Sequence, residues 1–143
     1  MQTFIDPSED AQMQFLSTYQ QKGKIVMMNL IKFKAFADYT NIEVEDPQIN
    51  ATGKGAYHHY LQVTGRILKS TKVGQLLFYG KSGTFLIGPA TEQWDAVLMV
   101  EYRSAQHFLQ FANSEAFAKV KGHRTAAIED SRLLPIAQAK KLW

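Results

Sequence analysis

Four side chains in this sequence stand where polarity is costly unless it is used. Arg124 falls at helical spacing with Phe117, Val120 and Ile128, so its permanent charge would lie on an apolar stripe and needs an anionic partner. One reading is a structural pair with Glu101 or Asp95; the other is a guanidinium that grips a ligand carboxylate or enolate. Asn29 is the one polar residue on its face of an apolar run, in company with Ile25, Met27, Ile31 and Phe33. A buried amide wants partners for its donors and its acceptor, which either a ligand or a neighbouring backbone can supply. Glu101 shares a row with Asp95, Val97 and Met99, where a carboxylate either serves as a general base or is neutralised by Arg124. His58 borders the apolar stripe of a helix and could reach a pocket as acid or base, with a solvated histidine as the plainer reading.

Tyr57, Tyr60 and Trp94 are the aromatic residues that could line such a pocket, although with Tyr79 they suit a packed core equally well. Adjacent histidines on a helix diverge by about 100°, so His58 and His59 cannot chelate one metal, and no metal site is expected. His59 should be solvated, and His123 falls off the apolar stripe of its helix. Gly80-Lys81-Ser82 has the look of a phosphate loop, but Gln75 stands where the first glycine is required and no helix follows. Neither a zincin histidine pair, a nucleophile elbow nor a dinucleotide glycine fingerprint is present.

These residues need elements to hold them. Asp6-Pro7-Ser8-Glu9 predicts a helix with Asp6 as its cap and Pro7 in its first turn, running to about Gln21. Lys24 to Phe33 predicts a strand buried on both faces, with Val26, Met28 and Leu30 opposite the Asn29 row. Residues 35–55 lack periodicity and read as a long connection or flap. Lys54 to Lys69 is helical, with Tyr57, Tyr60, Leu61, Thr64 and Leu68 on one stripe. Gln75–Tyr79 and Thr84–Ile87 read as strands around a glycine-containing turn.

Trp94–Tyr102 is the next strand, with Trp94, Ala96, Leu98, Val100 and Tyr102 on one face. Ser104 caps a helix carrying Phe108, Phe111 and Ala112 inward, and Ser114 caps a second piece after a kink near Asn113, with Gly122 only weakening it. Arg132–Ile136 closes the chain as a strand whose Pro135 belongs on an edge or beside a bulge.

The chain's 143 residues suit one domain, since domains centre on about 100 to 150 residues. We expect a single domain over 1–143, with a helical extension over 1–23 and the long loop over 35–55. Sixteen basic against thirteen acidic residues give a net charge of +3, and the basic ones are scattered. Nucleic acid is therefore not an expected partner. Cysteine is absent, which removes disulfides, thiolate nucleophiles and Cys-ligated zinc. The start, Met1 to Pro7, has neither a basic region nor an apolar stretch of signal-peptide length, and the most apolar run, Ile25–Ile31, is far short of the roughly 20 residues of a membrane span. A cytoplasmic protein without membrane contact is expected.

Trp94-Asp95 leading into Tyr102-Arg103-Ser104, then Phe108, Asn113-Ser114-Glu115, Phe117, Arg124 and the closing Glu129-Asp130-Ser131-Arg132-Leu133, resembles an uncharacterised family, domain of unknown function 1330, within the dimeric α/β-barrel superfamily. Met28-Asn29-Leu30 with Tyr57 and Tyr60 is similar to its longer members. The sequence departs from the family at Val73-Gly74, where paired glycines are common, and in its extended 35–55 loop. The resemblance implies a ferredoxin-like fold and a dimer, and it brings no established reaction. Its better-known cousins are small oxygenases, isomerases and haem-degrading enzymes, and in oxygenases of the superfamily an asparagine can orient substrate. The position matching the axial histidine of the haem-degrading cousins is Lys121. Haem, and with it any cofactor, is not expected; His123 would need a shifted helix to serve.

Leaving out the first helix, the order is strand, helix, strand, strand, helix, strand: an α+β, ferredoxin-like βαββαβ layer. Its strands are apolar on both faces while one chain supplies helices for one, so a second copy is the economical cover. The expected protein is a homodimer with a pocket between sheet and helices for a small organic acid or aromatic molecule. It would be a cofactor-independent oxygenase or isomerase using Asn29, His58, Glu101 and Arg124, with Tyr57, Tyr60 and Trp94 at the ligand; the alternative is a non-catalytic binding or structural module.

Overall fold

Two runs of alternating apolar residues form the middle of the sheet. The computed structural model describes residues 2–139, so the outermost parts of the expected domain, Met1 and residues 140–143, lie outside it. Strand β1 (Ile25–Phe33) pairs with β3 (Ala96–Tyr102) on one side and β4 (Ile128–Ala137) on the other, while β2 (Gly74–Lys81) flanks β3. All three pairings are antiparallel, and the order is β2-β3-β1-β4. With helix α2 (Gly53–Thr71) between β1 and β2, and α3 (Ala105–Ala112), α4 (Glu115–Ala118) and α5 (Lys121–Ala127) between β3 and β4, this is the α+β ferredoxin-like arrangement.

Register divides the sheet into two unlike faces. Ile25, Met27 and Ile31 of β1 lie opposite Tyr102, Val100 and Ala96 of β3, and all are buried with Tyr57, Tyr60 and Leu68 of α2 and Phe111 of α3. This is the core. On the other face Val26, Met28, Leu30, Val97 and Met99 are half-buried, while Phe78 is 58% and Leu134 54% exposed. β1 is thus buried on one face and half-buried on the other, rather than buried on both as expected, and among the described residues only the core face is fully covered.

Helix α1 (Glu9–Tyr19) does not roof that second face. It leans on the helix side, where Phe15 meets Phe108 at 5.5 Å and the Tyr19 hydroxyl donates to the Pro135 carbonyl at 3.1 Å. Its cap is Ser8, whose Oγ accepts from the Ala11 N–H, and not Asp6. Asp6 instead stands 3.9 Å from the Arg124 guanidinium, a long-range partner that the local sequence does not disclose.

Three further expectations change. Thr84–Ile87 is not a strand: only Thr84 makes a bridge, to Gln93, and Leu86 is fully exposed. β3 already has β1 and β2 as neighbours, and the segment pairs with neither outer strand of the sheet. The helix after Ser114 breaks a second time at Lys119–Val120, and Ile128 opens β4 rather than closing a helix. Gly122 is more than a weak helix former, because a Cβ there would meet Ile42 Cγ2 at 2.7 Å and Val44 Cβ at 3.1 Å. It is the seat on which the long loop rests. Pro135 lies on edge strand β4, as expected.

Candidate functional site

The ends of β1 and β2 and the starts of α2 and β3 meet at one end of the sheet. Gly53 makes this possible: a Cβ there would run into the Lys34 carbonyl and stand 2.6 Å from the Ala127 carbonyl, so only glycine lets α2 begin against the end of β1. Thr52 caps the helix by accepting from the Gly55 N–H at 3.0 Å. The first turns of α2 then carry Lys54 and His58 alongside Lys34.

Between these elements lies a cleft of about 560 Å3. Its walls include Phe33, Tyr79 and Ala96, its rim carries Lys34, Lys54 and Lys81, and His58 lies edge-on to the Tyr79 ring at 5.7 Å. Asp95 also borders it, with Oδ2 accepting from the Phe33 N–H at 2.8 Å. The Ser82 hydroxyl, on the same rim, donates to the Trp94 carbonyl. Gly80-Lys81-Ser82, dismissed as a phosphate loop, therefore stands at the cleft as the end of a strand.

Behind the cleft the aromatic wall continues into the core. Tyr57 stacks on Tyr79 with centroids 6.2 Å apart, meets Phe33 at 5.5 Å and Tyr60 at 5.3 Å. Burial pushes the Tyr57, Tyr60 and Tyr102 phenols well above or above their ordinary range, and the Arg124 guanidinium pulls against that rise at Tyr57 and Tyr60. They stay protonated, as donors, across the neutral range. Of the residues singled out in the sequence, His58 is in the cleft, and Tyr57 and Tyr60 lie behind it.

The others are placed apart. Asn29 lies on the core face of β1, and its Nδ2 donates to the carbonyls of Met27 at 3.4 Å and Leu98 at 3.3 Å. Arg124 is not paired with Glu101 or Asp95: Nη1 donates to the Ile5 carbonyl at 2.8 Å and Nη2 to Ser131 Oγ at 3.3 Å, which ties the N-terminal segment to the start of β4. Glu101 is on the outer face, opposite Val26, with Oε1 accepting from Gln75 Nε2 at 3.2 Å. It is at the far end of β3 from the cleft and on the other side of the sheet from Asn29. Trp94 is 3% exposed but lies outside the main core cluster. The Arg132 guanidinium sits 4.9 Å from its ring and from that of Phe4.

Two histidines hold the loop between β1 and α2. His123 is 1% exposed. Its Nε2 faces the Glu45 carbonyl at 2.9 Å and its Nδ1 the Tyr39 hydroxyl at 2.7 Å. A carbonyl can only accept, so Nε2 carries the proton and the Tyr39 O–H donates to Nδ1. Burial, with the nearby His59, lowers the His123 pKa below its ordinary value. His59 is not solvated as expected: its ring lies 4.5 Å from that of His123 and its Nε2 4.0 Å from Asp46 Oδ2, because the loop folds over it. Sequence reading missed this latch and the lysine rim. No spacing signal marks either, since both depend on contacts between distant segments.

Among known proteins, the chain is similar over 98% of its length to a protein of unknown function from Rhodopseudomonas palustris, all of which it spans, with 30% identity and a TM-score of 0.82. A methylated form of that protein gives the same identity and score over 98% of each chain. A Caulobacter crescentus protein provisionally assigned as an antibiotic biosynthesis monooxygenase shares the fold at 12% identity and a TM-score of 0.51, over 89% of this chain and 99% of that one. No protein-family model and no curated protein matches the chain.

Proposed function

Because the chain belongs to the family of the Rhodopseudomonas palustris protein of unknown function, a relationship that brings a fold and no reaction, we propose that it is a homodimer binding a small aromatic or carboxylate-bearing molecule in the cleft beside α2. The observation that carries this reading is the cleft itself, where an aromatic wall of Phe33 and Tyr79, basic side chains and His58 converge. Apolar walls with a few polar groups are what small-molecule sites are made of. His58 is the proton carrier, Tyr57 and Tyr60 back the wall, and Asn29 and Arg124 hold the layer behind it. The proposed chemistry uses no cofactor: His58 takes a proton from a carbon of the bound molecule and either returns it at another carbon, an isomerisation, or gives it to the peroxide anion formed when the carbanion adds dioxygen, an oxygenation that leaves both oxygen atoms on the product as a hydroperoxide.

The homodimer rests on the outer face of the sheet. Its row of Val26, Met28, Leu30, Val97, Met99, Phe78 and Leu134 is apolar and lacks a cover among the described residues, and the same face of a second copy would shield both. Trp94-Asp95, Tyr102-Arg103-Ser104 and Glu129 to Leu133 support placing the family in domain of unknown function 1330. A non-catalytic binding module is the second reading, favoured by Asn29 and Arg124 spending their donors on backbone carbonyls.

Thermal melting with benzoate, salicylate and phenylpyruvate tests the site. A raised midpoint for the wild type that shrinks in Tyr79→Ala supports it; no shift from any acid overturns it. Dioxygen uptake or a change in the acid's absorbance, lost in His58→Ala, supports catalysis, whereas binding without turnover supports the module. In sedimentation the wild type should be a dimer and Met99→Asp a monomer. A monomeric wild type, or a dimer that tolerates the aspartate, removes the homodimer.

A further inference from the structure

Resting on the cleft reading above, we infer that the molecule bound there carries two negative charges: an aromatic ring bearing either a phosphate ester or a pair of carboxylates. The argument begins with charge. Lys34, Lys54 and Lys81 border one cleft, and Asp95 is the single acid among its lining residues. Among the described residues, none of the three lysines forms an ion pair within 4.0 Å, and the lysine that does is Lys32, with Glu129. Asp38 lies near Lys34 and feels its charge, so Lys54 and Lys81 are the less committed cations.

The arrangement holds these charges together deliberately. Lys34 follows the last residue of β1, Lys54 is in the first turn of α2 and Lys81 ends β2. Gly53 draws the first two together by its contact with the Lys34 backbone, and the sheet register sets Lys81 opposite Ala96. Like charges brought to one concave surface repel, and a bound anion relieves that repulsion. A monocarboxylate would meet Asp95 and one or two ammonium groups and leave the remaining excess in place. A dianion offers one charge each to Lys54 and Lys81, the two less committed cations of the rim. The ring of that dianion would lie on Phe33 and Tyr79, which form the apolar wall on which His58 stands edge-on.

Isothermal titration of the full chain with four probes tests this: benzyl alcohol, benzoate, phthalate and phenyl phosphate. Phthalate or phenyl phosphate should bind at least about tenfold tighter than benzoate in low salt, and the advantage should narrow as salt is added. Whichever dianion leads identifies dicarboxylate or phosphate ester. Lys54→Met and Lys81→Met, both at exposed positions, should each narrow the ratio of dianion to benzoate affinity, and the two together should bring it close to one. Equal affinity for benzoate and both dianions overturns the inference but leaves the cleft reading standing. A dianion preference that survives both lysine substitutions together also overturns it. Failure of all four probes to bind removes the cleft reading itself.

Discussion

Replacing Gly53 and Gly65 by alanine should move stability in opposite directions, although both lie in α2. At Gly53 the new methyl would collide with the Lys34 carbonyl and stand 2.6 Å from the Ala127 carbonyl and 2.9 Å from the Lys34 N–H nitrogen. All three are backbone atoms held by the sheet and by the Lys34 N–H bond to the Ala127 carbonyl at 2.9 Å, so no side chain can swing aside. Overpacking of this kind costs about 3 kcal/mol or more. At Gly65 nothing lies within 4 Å of the new methyl, and alanine is favoured over glycine inside a helix by about 0.5 to 1 kcal/mol. For a chain of this size that converts to a melting midpoint about 10 °C lower for Gly53→Ala and about 2 to 4 °C higher for Gly65→Ala. Urea unfolding followed by circular dichroism supplies the free energies, and equal slopes would show that the unfolded state is unchanged. Gly53→Ala should also weaken benzoate binding, because α2 must retreat and take Lys54 and His58 with it. A Gly53→Ala protein as stable as the wild type, or two variants that shift in the same direction, would refute the claim that close approach at Gly53 builds the cleft.

Two more outcomes follow from the hydrogen bonds. The folded His123 pKa is depressed below the ordinary 6.5 by burial and by His59, so the unfolded chain binds more protons; its contribution is complete above about 6.5 and is lost as pH falls from there through the folded value. Urea midpoints between pH 7.5 and 5 should therefore fall more in the wild type than in His123→Gln, and equal slopes would count against the latch. Arg124→Met removes the bonds to the Ile5 carbonyl and Ser131 Oγ, at a cost of about 1.5 to 3 kcal/mol for a charged donor. It should expose the segment before α1 to limited proteolysis; unchanged stability with lost ligand binding would instead make Arg124 part of the binding site.

What the sequence disclosed was whatever repeats within a few residues. The alternation along β1 and β3, the Tyr57–Tyr60–Thr64–Leu68 stripe and the caps at Ser104 and Ser114 are local patterns, and the structure has all of them. Position within the sheet is not local. Thr84–Ile87 has strand-like composition but joins no strand of the sheet, and Ser8 rather than Asp6 caps α1, while Asp6 stands near Arg124, 118 positions away in sequence. The same limit applies to the site. Parity along β3 assigned Glu101 and Asp95 to one row, but it could not say that this row faces away from Arg124. His123 was set aside because it leaves the apolar stripe of its helix, and its burial comes from the loop that crosses at Gly122.

The two faces of the sheet also bear on how assembly and binding could affect each other. The cleft opens on the core side at Ala96, while Val97 and Met99 point to the outer face that the proposed dimer would cover. Neighbouring residues of β3 thus serve one surface each, and a strand held in register by β1 and β2 cannot shift one without shifting the other. The register of β2 against β3 breaks between Leu76 and Phe78, two residues before the strand reaches Gly80 and Lys81 at the cleft. Phe78, exposed on the outer face, lies just after that irregularity, and a bulge is where a strand changes twist most readily. Covering Phe78 in the proposed dimer would therefore fix the twist of β2 where it delivers Tyr79 and Lys81 to the cleft, which makes the edge strand, rather than the central pair, the element through which a second copy would act on the proposed site.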